Sequence, residues 1–479
     1  MKPARAARVW SIVPARFVPI DHDTPLLLPP NLRDWVPADH LVHFLLDAVD
    51  ALDLRQIKVN TRGTGSEQYP PRMLLGLLLY SYATGTFSSR RIEQSTHDSV
   101  PVRLLTADTH PDHDTLCTFR RENSALLTES FVQVLQLAQQ LKVLKFGQLT
   151  VAADGTKVLA HASQHSAVSY QRAGELIEQL ELEVQQLLAK AEQADATPLQ
   201  DGLTIPAEIT RRHERKAALA QARAEIEARA QARYAIQLAE HEAQLAAREA
   251  KQERGEKVNG NPPSAPTPEP APKDQYNFTD AESRIMKAGT GKHFEQSYNA
   301  QAAVEVASRL IVSQRVSQAP NDKQELVPTL AAIPVEAGTL AVVLVDSGFY
   351  SEQAVRHVEQ TEAGTATGTL VYAAVEKTGH HRSVSDLEVR PEPEPPGRDA
   401  SAMEVMRHRL QTAAGKALYK LRQQTVEPVF GIIKSVLGFR QFRLRGVAKV
   451  TLEWTLVCVA YNLKRLHRLS AGQLQVSKA

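Results

Sequence analysis

Along the first third of the chain the apolar positions recur with a helical period. Leu41, Phe44, Leu45, Ala48 and Leu52 fall at spacings of three and four, which predicts a helix with one buried face. The stretch "PPRMLLGLLLYSYATG" opens on prolines suited to a helix start and closes at Gly85, suited to a stop. Ser88 or Ser89 caps a third helix that carries Arg90 and Arg91 in its first turn. Asp114 or Thr115 caps a fourth that ends in Arg120 and Arg121, and "ALLTESFVQVLQLAQQL" is a long amphipathic helix. Short helices with paired arginines suit a small DNA-binding domain. A helical bundle with solvated arginines fits the same pattern equally well.

The period then switches. Leu149 to Ala153 read as a buried strand that ends on Asp154-Gly155. Between about 165 and 255 the pattern is helical again, with Ile177, Leu180, Val184, Leu187 and Ala191 forming a heptad seam. After a break at Pro198 to Pro206, an Ala/Glu/Arg-rich helix runs to about Arg254. Its narrow apolar face predicts a helical hairpin used as an arm, followed by an unstructured proline-rich linker, "NGNPPSAPTPEPAP". "YNAQAAVEVA" and "LIVSQRVS" predict a hairpin around Ser308-Arg309, and "NDKQELVPTLAAI" a helix capped by Asn321 or Asp322. "LAVVLVD" reads as the central strand of the core, "SEQAVRHVEQ" as a helix and "TLVYAAV" as another strand. A second proline-rich piece occupies 390–397. From about 402 on, the chain is helical, with Leu452, Leu456, Val459, Leu463 and Leu466 as a buried stripe.

With 479 residues, of which 43% are hydrophobic, the chain predicts two or three domains. The layout is an all-helical N-terminal domain (1–148) and the start of an α/β core (149–164). A coiled-coil-like helical insertion with its linker follows (165–275), then the rest of the core (276–470) and a tail (471–479). The element order of this split core is compatible with a ribonuclease-H-like fold. A net charge of +2 says little about partners. Cys117 and Cys458 lie far apart in helical stretches and read as buried thiols of a reducing compartment. No secretory signal forms, because Pro14 and Arg16 interrupt the N-terminus, and no stretch reaches the ~18 apolar residues of a membrane helix. The expectation is a soluble, cytoplasmic protein without membrane contact.

Two strands of the core deliver a carboxylate in the same way: "TVAADGT" brings Asp154 and "VVLVDSG" brings Asp346. Open α/β sheets hold ligands at strand ends. Two neighbouring carboxylates repel unless a cation lies between them, and hard oxygen ligands with room for water and phosphate suit Mg²⁺ better than zinc. Taken singly, either aspartate is better explained as a turn cap beside its glycine. A third acid stands out near the C-terminal end. Between Tyr419 and Val450, Glu427 is the sole acid among seven basic residues: Lys420, Arg422, Lys434, Arg440, Arg443, Arg445 and Lys449. It precedes Pro428, which places it in the first turn of a helix or at a kink. Val426, Phe430, Ile433 and Leu437 form the buried face, and Glu427, Gly431 and Lys434 the adjacent one. Gly431 leaves either a gap for a nucleic-acid backbone or room for close helix packing. "DTHPDHDT" reads as a loop with a helix cap in preference to a metal site, and His380-His381 as a loop.

These residues carry a resemblance. Through "PPRMLLGLLLYSYATGTFSSRRIE", "ADGTK", "YNAQAAV", "NDKQELVP", "VDSGFYS" and "TVEPVFGIIK", the chain resembles the DDE-type transposases of bacterial insertion sequences. The branch it resembles has an all-helical N-terminal domain and a ribonuclease-H-like catalytic domain. The resemblance implies a catalytic, metal-binding triad of Asp154, Asp346 and Glu427. It implies two Mg²⁺ ions, with Mn²⁺ as a substitute and Asp154 shared between them. It further implies that the protein binds terminal inverted repeats in double-stranded DNA, cleaves a strand, and transfers the freed 3′-hydroxyl to target DNA as a homodimer or higher oligomer. The related Tyr-x2-Arg-x3-Glu-x6-Lys signature maps onto Tyr419, Arg422, Glu427 and Lys434. Four residues, not three, separate Arg422 from Glu427, so Tyr419 and Arg422 are displaced by one position. Lys434, Arg440, Arg443 and Arg445, with Phe439 and Phe442 interleaved, are expected to grip DNA, alongside Arg90 and Arg91 of the first domain. Two rival readings are a structure-specific nuclease on the same fold and a non-enzymatic DNA-binding scaffold.

Overall fold

A computed structural model describes residues 31–59, 68–145, 147–196, 204–253, 255, 261–287, 293–361, 363–375, 392–397 and 400–470. His380 and His381, the break after residue 196 and the tail after 470 lie outside them. The chain is mixed α/β: a layer of helices precedes and covers one sheet. The first helices are α1 (Leu41–Ala51), α2 (Pro71–Ala83), α3 (Ser89–Asp98), α4 (Val100–Leu105), α5 (His113–Glu122) and α6 (Ser124–Gln140). Prolines open α2, and Gly85, with φ +87°, follows its end, as the sequence predicts. The cap of α5 is Asp112, not Asp114 or Thr115, because its carboxylate already accepts the Thr115 N–H at 2.6 Å. Cys458 is buried, but Cys117 lies on the exposed side of α5.

The sheet is built on β1 (Gln148–Leu159). On one side β1 pairs antiparallel with β5 (Phe294–Glu305). β5 in turn pairs antiparallel with β4 (Arg284–Lys287) along its first part and β6 (Ile311–Ser317) along its second. On the other side β1 runs parallel to β7 (Thr339–Val345), and β7 parallel to β8 (Leu370–Ala373). The central strand is therefore β1, with β7 beside it. The expectation that β1 ends at Asp154-Gly155 is wrong for a specific reason. Its pairing with β7 stops at Ala153↔Val345, but its pairing with β5 continues to Leu159↔Ser297.

The insertion is a hairpin of α7 (Tyr170–Ala196) and α8 (Ile205–Glu253), joined at its base by a small ladder of β2 (Ala167–Ser169) and β3 (Gln275–Asn277). Leu180 and Leu187 of the heptad seam are buried. The described part of the proline-rich linker, from 261, has no regular structure, yet it is anchored along α8: His241 bonds to the Pro263 carbonyl and Gln231 donates to that of Pro268. α9 (Leu326–Ala331) starts later than predicted. Asp322 does not cap it, because its carboxylate is taken by buried amides described below. α10 (Glu352–Glu359), α11 (Ala402–Gln411), α12 (Ala413–Gly431) and α13 (Val447–Leu469) complete the chain. α13 packs on β6 with one side and on α1, α2 and α6 with the other, so one hydrophobic core runs through the helical layer and the sheet. Among the described residues no helix is long and apolar enough to cross a membrane.

Candidate active site

The fork in β1 creates the site. Asp154 is the first residue of β1 without a β7 partner, and Asp346 is the first residue after β7 ends. A short 3-10 turn, Ser347–Phe349, carries the chain away, held by the Phe349 N–H on the Asp346 carbonyl at 3.0 Å. α12 crosses this opening and packs on β1, β5 and β7. Glu427 does not sit in a first turn: it lies near the end of α12, and Pro428 is inside the helix. Val426, Phe430, Ile433 and Leu437 form the buried face, as the spacing predicts. The next turn, Ile432–Val436, is wound as a π-helix. A Cβ on Gly431 would meet nothing within 4 Å, so close helix packing does not require that glycine.

The three acids converge on one guanidinium. Arg422 approaches Glu427 at 3.2 Å, Asp154 at 3.8 Å and Asp346 at 3.9 Å. Its side chain is 8% exposed, against 22% for Asp154, 50% for Asp346 and 52% for Glu427, so the cation is the floor of the site and the acids its rim. Tyr419 lies beneath it, with Cζ of Arg422 5.9 Å from the ring centroid. One extra residue between Arg422 and Glu427 turns a helix by about 100°. The long arginine side chain spans that offset, so the displaced pair still reaches the site.

Burial pushes the Asp154 carboxyl up to about 7; repulsion from Asp322 and Asp346 adds to this, while the Gly155 N–H at 2.8 Å and Arg422 oppose it. The Asp154 anion is therefore poorly stabilised where it stands. Among the described residues no three His, Cys, Asp or Glu side chains form a ready-made metal cage; the acids face one another across the guanidinium. The donor set is nevertheless all carboxylate oxygen, which fits a hard divalent cation, and the deficit at Asp154 is of the kind such a cation removes.

Behind Asp154, on the opposite face of β1, lies a cluster that the sequence reading missed. Oδ1 of Asp322 accepts Nδ2 of Asn299 at 2.7 Å and Nε2 of Gln301 at 2.6 Å, and Nζ of Lys157 stands 3.7 Å away. Asn299 and Gln301 are fully buried. Their i, i+2 spacing in "YNAQ" puts them on one face of a strand, which was the available signal.

The basic residues divide into two sets. Lys434 turns inward and donates to the Lys157 carbonyl at 2.7 Å. Burial lowers its pKa, with Arg440 and Lys157 contributing. Arg440, Arg443 and Arg445 are exposed on the loop between Leu437 and α13. That loop is pinned from below. Its Phe442 N–H bonds to the Leu159 carbonyl, those of Arg443 and Leu444 to the Glu453 carboxylate, and that of Gly446 to Asp280. Phe439 and Phe442 are buried against Phe87, Tyr298 and Trp454, so they anchor the loop and are not free to touch DNA. Arg90 and Arg91 are exposed on α3, which packs on α2, α4 and α5. In "DTHPDHDT", His113 pairs with Glu93 at 2.8 Å and His110 stacks on His97.

Two sequence families match this chain. Residues 388–467, which include Arg422, Glu427 and Lys434, match the family described as Transposase DDE domain. Residues 30–122 match the one described as Transposase domain (DUF772). No curated protein and no solved structure matches the chain.

Proposed function

Taking as premise that these two matches mark a DDE-type transposase of an insertion-sequence family, an enzyme of metal-dependent DNA cleavage and transfer, we propose that Asp154, Asp346 and Glu427 are its catalytic triad. The observation that carries this reading is the meeting of three acids from three separate elements around one buried cation. The sheet order, β5 antiparallel and β7 and β8 parallel to a central β1, supports a ribonuclease-H-like core. The three carboxylates would hold divalent metal: Mg²⁺ by the hardness of the donors, with Mn²⁺ as substitute and two ions as the full complement. Bound metal would supply Lewis acidity at the scissile phosphate and a more acidic attacking water or 3′-hydroxyl.

The remaining work falls to the chain. The rigid pairing of β1 with β5 fixes Asp154, the 3-10 turn presents Asp346, and α12 presents Glu427, so the acids are preorganised on regular elements. Tyr419 and Arg422 are candidates for orienting a phosphate, Arg422 through its fork of donors. Lys434 braces α12 on β1, while Arg440, Arg443 and Arg445 offer a fixed ridge of charge to the DNA backbone at the terminal repeats. Arg90 and Arg91 are candidates for a second contact. Assembly of a dimer or larger complex on DNA, with the α7–α8 arm as a contact, belongs to the same reading. Asp346→Asn removes one full charge at constant shape. We expect strand cleavage of DNA carrying the element's ends to fall by at least about a hundredfold. Cleavage near the wild-type rate would remove Asp346 from the triad, and an end-joining assay separates strand transfer from simple nuclease action.

A further inference from the structure

The acids of the site are not equally partnered. Lys157, the nearest lysine on β1, faces away toward Asp322, and the Lys434 ammonium is bonded to a backbone carbonyl. Among the described residues the charge of Arg422 alone lies in ion-pair range of all three carboxylates. It hydrogen-bonds only Glu427 among them, at 3.2 Å. Two of the three contacts, at 3.8 and 3.9 Å, are beyond hydrogen-bond length, and its buried Nε has no partner. No carboxylate takes the guanidinium in a bidentate fit. One guanidinium is thus shared among three carboxyl groups.

We propose that Arg422 is the resident counter-cation of this site: it holds Asp154, Asp346 and Glu427 together while no divalent ion is bound, and it gives up that place when one binds. The inference rests on reading the acids as a metal site. The guanidinium stands among the three carboxylates, where metal would have to bind, and its charge repels an incoming divalent ion, so metal entry and the observed arginine placement oppose each other. That is a coupling between two ligands of one site, and it is reciprocal. The displaced fork stays over Tyr419, where an incoming phosphate is its natural acceptor. Metal loading thereby frees the phosphate clamp.

Thermal unfolding of the full chain in chelator, and again across a titration of MnCl₂ or MgCl₂, tests this with wild type, Arg422→Gln and Asp154→Asn. Arg422→Gln should melt lower than wild type without metal, show a larger rise on adding it, and bind Mn²⁺ about tenfold more tightly or better. Equal metal-free stability and equal Mn²⁺ affinity in Arg422→Gln and wild type, with the response lost in Asp154→Asn, would overturn the counter-cation role and leave the metal site standing. A metal response that survives in Asp154→Asn, or none in any variant, would overturn the metal reading and this proposal with it. If Arg422→Gln does not fold in chelator, Arg422→Gln/Asp346→Asn, which also removes one negative charge, should recover folding. Failure of the double variant to do better than the single one would count against the proposal.

Discussion

Gly155→Ala tests the architecture behind Asp154. Gly155 is not in the left-handed region, so backbone freedom is not what it supplies; space is. A Cβ there would lie 2.3 Å from Nε2 of Gln301, 2.5 Å from Oδ1 of Asp322 and 2.8 Å from Oδ1 of Asn299, closer than any of these atoms tolerates. Gln301 is fully buried and bonded to Asp322, so it has nowhere to retreat without breaking that bond. Overpacking costs about 1–3 kcal/mol, and leaving one buried polar partner unsatisfied costs about 1–3 kcal/mol more. Together they predict a loss of roughly 2–6 kcal/mol in a urea titration. The strain lies one residue from Asp154, whose carboxylate the Gly155 N–H holds at 2.8 Å. A displacement of about 1 Å there should lower cleavage by about a hundredfold. Gln301→Ala in the same chain removes the clashing amide, so the double variant should be less destabilised than the two single losses added together. Gly155→Ala within about 0.5 kcal/mol of wild type, or strict additivity with Gln301→Ala, would refute the reasoning.

Burial pushes the Glu453 carboxyl up to about 7 from an ordinary 4.5. Over that window the folded chain keeps a proton that the unfolded chain has released, so stability falls as pH rises from 4.5 to 7 and levels off above. The loss is roughly 3 kcal/mol. Glu453→Gln should escape about that much of the decline between pH 5 and 7.5, and parallel stability curves would count against it. Replacing Arg440, Arg443 and Arg445 together with glutamine should flatten the slope of log affinity against log salt by up to about 2.7, at about 0.9 per phosphate contact, with stability unchanged. Lys434→Met, whose ammonium is already bonded to the Lys157 carbonyl, should lower stability and leave that slope alone. An unchanged slope in the triple variant would take the loop out of the DNA interface.

Periodicity made most elements legible, because a buried face imposes its spacing on the sequence: the first helices, the heptad seam, the β5–β6 hairpin and the stripe of α13 stand where the pattern puts them. Strand ends single out Asp154 and Asp346, and the surrounding basic residues single out Glu427, but only the fold brings the three to one arginine. What escaped depended on partners distant in sequence. The length of β1 depends on β5, which pairs with it past the point where β7 stops. Asp322 read as a cap because a lone "ND" before an apolar run carries no trace of two amides some twenty residues upstream. Phe439 and Phe442, interleaved with arginines, read as part of a DNA grip; only the aromatic cluster of Phe87, Tyr298 and Trp454 shows that they are anchors. Arg422 seemed one position out of register, a mismatch that side-chain length absorbs.

The placement of α13 bears on how the molecule is made. This helix is the shared wall of the helical layer and the sheet, and Lys464 closes on the Ala83 carbonyl across 381 positions of chain, His467 on that of Asp39 across 428. Helices α1, α2 and α6 therefore emerge from the ribosome long before the surface that covers their apolar sides exists. During synthesis that surface must stay exposed or be held by chaperones. Closure of such long loops is slow, and it comes as one late event for both layers. A nascent chain of this kind would acquire its helical layer, its sheet packing and the floor of its acidic site together, so a partly translated chain would expose neither a finished helical layer nor a complete acidic site on its own.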